Sequence, residues 1–158
     1  MMSERAQHLR SQAGYSLVEL LTAVAIFGIL AAAGLPHVDT RRQDIQSATK
    51  QVISDYRWTR TRAITSGVHF NVTWTSANVY QVQRMKLSGT TWVLDTVVKQ
   101  VTLPSTISRF GYPNNIEFNT RGMMVSNAYT MFDVVWDSPN SVYRMVAVWP
   151  SGQANEYD

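Results

Sequence analysis

The chain has 158 residues and a hydrophobic fraction of 45%, enough for one globular domain together with an anchor segment. It contains no cysteine, so disulfides, thiolate metal sites and cysteine nucleophiles are excluded. The formal net charge is only +3, which by itself does not indicate a nucleic-acid-binding protein.

The first predicted element is an apolar helix that follows a short basic leader. Its apolar run, from Leu17 to Leu35, has 19 residues and is just long enough to span the hydrocarbon core of a bilayer. Arg5 and Arg10 precede the run and favour a cytoplasmic N-terminus by the positive-inside rule. The run is longer than the apolar part of an ordinary secretory signal. We therefore predict a membrane anchor in contact with the lipid bilayer.

Glu19 lies inside this apolar run. An ionised carboxylate within a bilayer is energetically costly, so an acid at this depth indicates a functional position. The alternative interpretation is a tolerated interfacial acid, because Glu19 lies only two residues inside the run.

The residues Gly14-Tyr-Ser-Leu-Val-Glu19 resemble the class III signal of type IV prepilins and type II secretion pseudopilins. That signal is a glycine, a cleavage point, an aromatic or apolar first mature residue, and glutamate as the fifth. Counted from Tyr15, Glu19 is the fifth residue and Pro36 falls where many pilins also carry proline. The resemblance implies that a prepilin peptidase removes residues 1–14 and that Tyr15 is then N-methylated.

The resemblance also implies a role for Glu19 in filament assembly. In physical terms, its carboxylate pairs with the N-terminal amine of a neighbouring subunit, since each charge alone is costly in an apolar filament core. The implied partners are other pilin or pseudopilin subunits, the prepilin peptidase and the inner-membrane assembly platform. The expected location is a single pass through the bacterial inner membrane with a periplasmic C-terminal domain, and later a surface pilus or a periplasmic pseudopilus.

Residues 15–36 are thus predicted to be a transmembrane and filament-core helix that contains two weak points. Gly28 lowers helix stability by about 1 kcal/mol and Pro36 removes a backbone hydrogen bond. One hypothesis is that the stretch between them bends or unwinds in the filament. The other is simple tolerance, because glycine and proline are common in membrane helices.

Residues 37–66 are predicted to continue as an amphipathic helix, with Ser66-Gly67 as its end. A continuous helix from Leu17 to Ser66 would be roughly 75 Å long. Its predicted apolar face consists of Ile45, Ala48, Val52, Tyr56, Ala63 and Ile64. The charged residues assigned to the rest are Arg41, Arg42, Asp44, Lys50, Asp55, Arg57, Arg60 and Arg62. Within this set Arg57, Arg60 and Arg62 could contact nucleic acid, or belong to a solvated face or a subunit contact.

Residues 67–158 alternate in hydrophobicity and predict a globular antiparallel β domain. The predicted strands are Val68–Trp74, Val79–Lys86, Trp92–Val101, Ile107–Phe110, Ile116–Asn119, Tyr129–Trp136 and Val142–Trp149. A loop of four or five residues is expected between the second and third strands, and a short tail at Gln153–Tyr157. The fold class is α+β: a long N-terminal helix packed against an antiparallel β domain, as in a lollipop-shaped pilin.

Three patches of the C-terminal half resemble the GspH/FimT-like minor pilins and pseudopilins. They are Tyr56–Gly67 at the helix end, Ile116–Gly122 at a strand and turn, and Val146–Gly152 at the last strand. FimT-like proteins implicated in DNA uptake carry arginines directly after that last glycine. Here the residues 153–156 are Gln-Ala-Asn-Glu, so DNA as a partner is not supported by the C-terminal tail.

No catalytic site, metal site or cofactor is predicted. The histidines His8, His37 and His69 are scattered, and Asp133 and Asp137 flank a predicted exposed turn. The leading hypothesis is a minor pilin of a type IV pilus, a structural subunit of a tip or priming complex. The alternatives are a GspH-like minor pseudopilin of a type II secretion system, a FimT-like DNA-uptake pilin and a membrane-anchored enzyme.

Overall fold

The computed structural model describes residues 16–33, 40–111, 113–136 and 142–157. The chain divides into two compact units, Met1–Val38 and Asp39–Asp158, and each is described by itself.

The first unit contains helix α1, Leu17–Ala33. The backbone carbonyl of Ser16 accepts hydrogen bonds from the N–H groups of Glu19 at 2.9 Å and Leu20 at 3.1 Å, which opens the helix. Leucine and alanine dominate the sequence that follows, and both are strong helix formers. Among the described residues, no helix has both the length and the hydropathy that crossing a membrane requires.

The second unit begins with helix α2, Thr40–Ser66. The predicted continuous helix is therefore described as two helices, and residues 34–39 between them lie outside the described part. Burial of most of the predicted apolar face of α2 is confirmed. Two assignments are wrong: Ile64, predicted on the apolar face, is 45% exposed, and Asp55, predicted among the charges on the rest of the helix, is 4% exposed. The buried residues of α2 are Ile45, Ala48, Thr49, Val52, Ile53, Asp55, Tyr56, Thr59 and Ala63.

In the described part of the chain after α2, eight strands form two four-stranded antiparallel sheets. The strands are β1 Phe70–Trp74, β2 Val79–Ser88, β3 Thr91–Thr102, β4 Ile107–Phe110, β5 Asn115–Phe118, β6 Thr130–Trp136, β7 Tyr143–Val148 and β8 Ala154–Tyr157. The first sheet has the order β3-β2-β1-β5, and the second has the order β4-β6-β7-β8. The predicted antiparallel β domain and α+β class are confirmed.

Two local predictions are wrong. The segment expected to be a tail is strand β8, which pairs with β7 from Val148↔Ala154 to Met145↔Tyr157. The β2–β3 connection is a two-residue turn, because pairing continues to Ser88↔Thr91. Both errors have the same cause: short exposed strand ends carry too few apolar side chains to show alternation, although their backbones still pair.

The inner faces of both sheets pack on α2 and form one hydrophobic core. Tyr56 of α2 lies at its centre, 1% exposed, with its ring 6.4 Å from Phe118 and 5.8 Å from Phe132. Burial raises the pKa of Tyr56 to about 12, so the phenol is neutral and its oxygen accepts a hydrogen bond from Trp74 Nε1 at 3.2 Å. The helix is therefore part of the core of the β domain.

Asp55 joins α2 to the first sheet through a polar cluster built around its buried carboxylate. Its Oδ2 accepts hydrogen bonds from the Tyr80 hydroxyl at 2.6 Å and from Gln51 Nε2 at 3.0 Å. Its Oδ1 lies 2.5 Å from Lys99 Nζ. Burial, reinforced by the hydrogen bond to Asp55, raises the pKa of Tyr80 well above its usual value, so the phenol remains a donor. The cluster fixes the β2–β3 hairpin against the helix.

Replacing Asp55 by alanine is expected to lower the free energy of unfolding by about 3 kcal/mol, because Tyr80 and Lys99 lose their buried acceptor and counter-charge. Urea unfolding of the full chain, followed by tryptophan fluorescence, measures the loss. Asp95→Ala is the matched control: Asp95 pairs with two exposed basic side chains at 3.6 and 3.8 Å. Its loss should stay below about 0.5 kcal/mol. Equal losses in the two variants would contradict the tethering role of Asp55.

Candidate functional site

Glu19 lies in the first turn of α1, where the positive end of the helix dipole favours a carboxylate. The described side chains on either side of it are apolar and exposed, for example Val18 at 67% and Leu20 at 62%. Within the described residues of its unit no cation pairs with Glu19. The helix therefore presents one acid on an otherwise apolar surface, an arrangement suited to a partner that brings both apolar surface and a positive charge.

The other predicted positions of the N-terminal segment are less fully described. Gly14, Tyr15 and Pro36 lie outside the described residues. Gly28 lies within α1, and apart from its neighbours and the adjacent helix backbone no atom of the described residues lies within 4 Å of the position that a β-carbon would occupy. Gly28 thus interrupts neither the helix nor any contact, and a role in helix flexibility stays a prediction.

The three patches that resemble the minor pilin family meet at one place in the second unit. Arg60 Nε of α2 donates a hydrogen bond to the Gly122 carbonyl oxygen at 3.0 Å. A β-carbon at Gly122 would lie 2.6 Å from Ile64 Cδ1, and one at Gly152 would lie 2.9 Å from Arg60 Nε and inside contact distance of the Gly122 carbonyl oxygen. We call this contact of Arg60, Ile64, Gly122 and Gly152 the glycine clasp. It holds two turns of the β domain against the end of α2.

Arg57 extends the glycine clasp to the last strand. Its Nε donates to the Ala154 carbonyl oxygen at 3.0 Å, and its Nη2 donates to Asn155 Oδ1 at 2.7 Å. Hydrogen bonds from a charged donor are stronger than neutral ones, so Arg57 anchors β8 to α2. Arg57 thus lies on the polar face of the helix but has its partners in the β domain.

Arg62, the third predicted arginine, is placed differently. Its guanidinium lies 5.1 Å from the centre of the Trp58 ring, in a cation–π contact on the helix surface. Arg57 and Arg60 donate to backbone carbonyls of the β domain, whereas Arg62 lies against its own helix. The structure gives all three arginines a partner within the chain, and their contact with nucleic acid stays a prediction.

The functional features that the sequence does not reveal are long-range contacts. Arg60 and Gly122 are 62 positions apart, and Arg57 and Ala154 are 97 apart. The available signal was the presence of a glycine in each of the three patches, because a glycine often marks a close approach of backbones. In the described part of the chain, no group of three acidic, histidine or cysteine side chains is placed to hold a metal ion.

Residues 9–35 match the family model described as the prokaryotic N-terminal methylation motif. No curated protein sequence matches the chain at a significant level.

Solved structures match the fold. The type IV minor pilin FimU of Pseudomonas aeruginosa superposes with a TM-score of 0.62 at 12% identity, covering 75% of this chain and 92% of FimU. The minor pseudopilin EpsH from the type 2 secretion system of Vibrio cholerae superposes with a TM-score of 0.53 at 14% identity, covering 72% of this chain and 96% of EpsH. At such low identity the likeness establishes the fold. The chain therefore carries the N-terminal methylation motif of type IV pilin-class proteins together with the α+β fold of minor pilins and minor pseudopilins.

Proposed function

We propose that the chain is a minor pilin, a structural subunit of a tip or priming complex in a type IV pilus. The observation that carries the proposal is the N-terminal methylation motif over residues 9–35, which coincides with an apolar helix bearing a single acid, Glu19. The pilin-type fold of the second unit supports it. The role is structural, with no catalytic step.

In this proposal the apolar helix has two successive roles. Before assembly it anchors the precursor in the inner membrane, with the leader cytoplasmic and the β domain periplasmic. A prepilin peptidase then cleaves after Gly14, and the new N-terminal amine of Tyr15 is methylated. On the assembly platform the helix moves from lipid into the filament core, where its apolar surface is buried against other subunits and Glu19 pairs with a neighbouring amine.

A bulky residue at the cleavage point tests the proposal. Gly14→Phe is expected to leave the full-length precursor in the membrane, because the side chain obstructs the peptidase next to the scissile bond. The mass of the chain recovered from membranes gives the result, and Ala6→Val in the leader is the matched control that should still be processed. Processed protein in the Gly14 variant would overturn the cleavage assignment.

The second candidate is a GspH-like minor pseudopilin of a type II secretion system, which the likeness to EpsH supports. The fold and the processing are the same in both. Deleting the gene separates them: loss of surface pili supports the pilus, whereas loss of a secreted enzyme with normal piliation supports the secretion system.

A further inference from the structure

The outward faces of the two sheets differ in where their apolar side chains lie. Part of the first sheet is polar and internally bonded: Gln81 pairs with Gln100 at 2.9 Å, and His69 Nδ1 lies 2.6 Å from Glu117 Oε1. This is usual for an antiparallel sheet with one face on the core and one in water. The exposed apolar residues of the first sheet all belong to its β2–β3 hairpin: Leu87, Val93, Leu94, Val97 and Val98. The second sheet instead has a large exposed apolar side chain on each of its four strands: Phe110, Met131, Tyr143 and Tyr157.

Strand register places the outward residues of the second sheet in adjacent rows. Asp133 of β6 pairs with Phe110 of β4 on one side and Met145 of β7 on the other, and Met145 pairs with Tyr157 of β8. On one side of this row lies the pair Val135↔Tyr143, and on the other lies Met131↔Ala147. Beyond Ala147, the rings of Tyr129 and Trp149 contact each other with centres 4.7 Å apart. We call this continuous surface the aromatic face.

The aromatic face is large and exposed. Its large apolar side chains are Phe110 at 74% exposure, Tyr143 at 58%, Tyr157 at 49%, Trp149 at 42%, Met131 at 41% and Tyr129 at 40%. At about 200 Å² for each such side chain, they expose on the order of 600 Å² together. That matches or exceeds the largest apolar patch of a typical monomer, about 300–600 Å², and approaches one side of a standard protein interface, about 800 Å². Tyrosine, tryptophan, phenylalanine and methionine are also the residues enriched in such interfaces.

Among the described residues, Asp133 is the one charged side chain that the strands of the second sheet place on the aromatic face; at the β8 edge, Arg57 of α2 bonds to Asn155 at 2.7 Å. Asp133 is partly buried between Phe110 and Met145, and no described side chain makes a salt bridge with it. The neighbouring arginines point to the opposite side: Arg109 lies over the rings of Trp74 and Phe132, and Arg144 pairs with Glu156 at 2.8 Å. A carboxylate centred in an apolar surface becomes costly when that surface is covered, unless the covering partner supplies a cation.

We propose that the aromatic face docks a different subunit of the same filament, one that presents an arginine or lysine within an apolar surface to Asp133. This inference rests on the proposed function, which supplies neighbouring subunits. A second copy meeting the face with its own aromatic face is disfavoured, because two Asp133 carboxylates would meet with no cation between them.

Site-specific photocrosslinking in cells tests the inference on the full chain. A benzophenone amino acid is placed at Met131 or Tyr157 on the aromatic face, and at Gln81 or Gln100 on the first sheet as matched controls. The expected result is an adduct from the aromatic face, identified by mass spectrometry as another protein with an N-terminal methylation motif. The control positions should give at least tenfold less, as an estimate from the loss of a specific contact.

Charge variants at Asp133 complete the test. Asp133→Lys should reduce the adduct about tenfold, and Asp133→Asn a few-fold, because like charges repel more than a neutral amide does. Tryptophan fluorescence of both variants checks that the fold is kept, and if the lysine variant is misfolded the asparagine variant decides. An unchanged adduct, an adduct only with a second copy, or equal crosslinking from the first sheet overturns the inference.

The same cells separate this inference from the proposed function. If the chain is processed after Gly14 and enters filaments but the aromatic face gives no adduct, only the inference fails. If the chain is neither processed nor incorporated, the proposed function fails and the inference fails with it.

Discussion

Replacing Gly152 by alanine is expected to destabilise the β domain by about 3 kcal/mol, through backbone strain and overpacking together. Gly152 is buried and has a φ of 79°, a backbone conformation that residues with a side chain rarely adopt. The added methyl group would overlap the Gly122 carbonyl oxygen and lie 2.9 Å from Arg60 Nε. The glycine clasp would therefore have to open, with the loss of the hydrogen bond between Arg60 and Gly122. Urea unfolding of the full chain, followed by tryptophan fluorescence, measures the effect.

Gly67→Ala is the matched control for this prediction. Gly67 has a similar φ of 64°, but beyond its chain neighbours no atom of the described residues lies within 4 Å of the position that its β-carbon would occupy. The substitution therefore carries only the backbone cost of about 1–2 kcal/mol. If the two variants lose the same stability, the glycine clasp does not contribute to the fold and Gly152 is retained for its backbone conformation alone.

Replacing Glu19 by alanine is expected to leave cleavage and membrane insertion intact and to reduce incorporation into filaments by at least tenfold, as an estimate from leaving a buried charge unpaired. The variant removes the acid that would pair with the N-terminal amine of a neighbouring subunit, so that amine enters the apolar core without a counter-charge. The ratio of chain in sheared filaments to chain in membranes gives the result.

Thr22→Ala is the control for the Glu19 variant. Thr22 lies on the same helix, and among the described residues its hydroxyl bonds only to backbone carbonyls of that helix, at 3.0 Å from Val18 and 2.9 Å from Glu19. Its loss should leave incorporation unchanged. Normal incorporation of the Glu19 variant would support the alternative interpretation of Glu19 as a tolerated interfacial acid.

The helices and strands were predictable wherever the local spacing of hydrophobic residues indicates them. Alternation at Phe70, Val72 and Trp74 predicts β1, and the same logic finds β6 and β7, because one face of each strand is buried against α2. The pattern fails for β8. Its inward residues are Ala154 and the acidic Glu156, which form a strand through pairing with β7 rather than through their own hydrophobicity.

The contacts that organise the molecule were not predictable in the same way. An amphipathic pattern predicts that a charged side chain lies on the exposed side of a helix, and so it predicts an exposed Asp55. In the structure, Tyr80 and Lys99 bond to Asp55 from 25 and 44 positions away. The glycine clasp is equally non-local, although its glycines were visible as parts of separate patches. The sequence pattern does not predict the aromatic face. Alternation shows that a strand has two faces, but it does not show that both faces are apolar.

A processed filament subunit has a new N-terminus, so the N-terminus of the chain isolated from membranes or filaments is the decisive measurement. Intact-mass and N-terminal peptide measurements should give a chain that begins at Tyr15 and carries one added methyl group. A chain that still begins at Met1, or that begins after the apolar helix, would show that the chain is not a processed filament subunit.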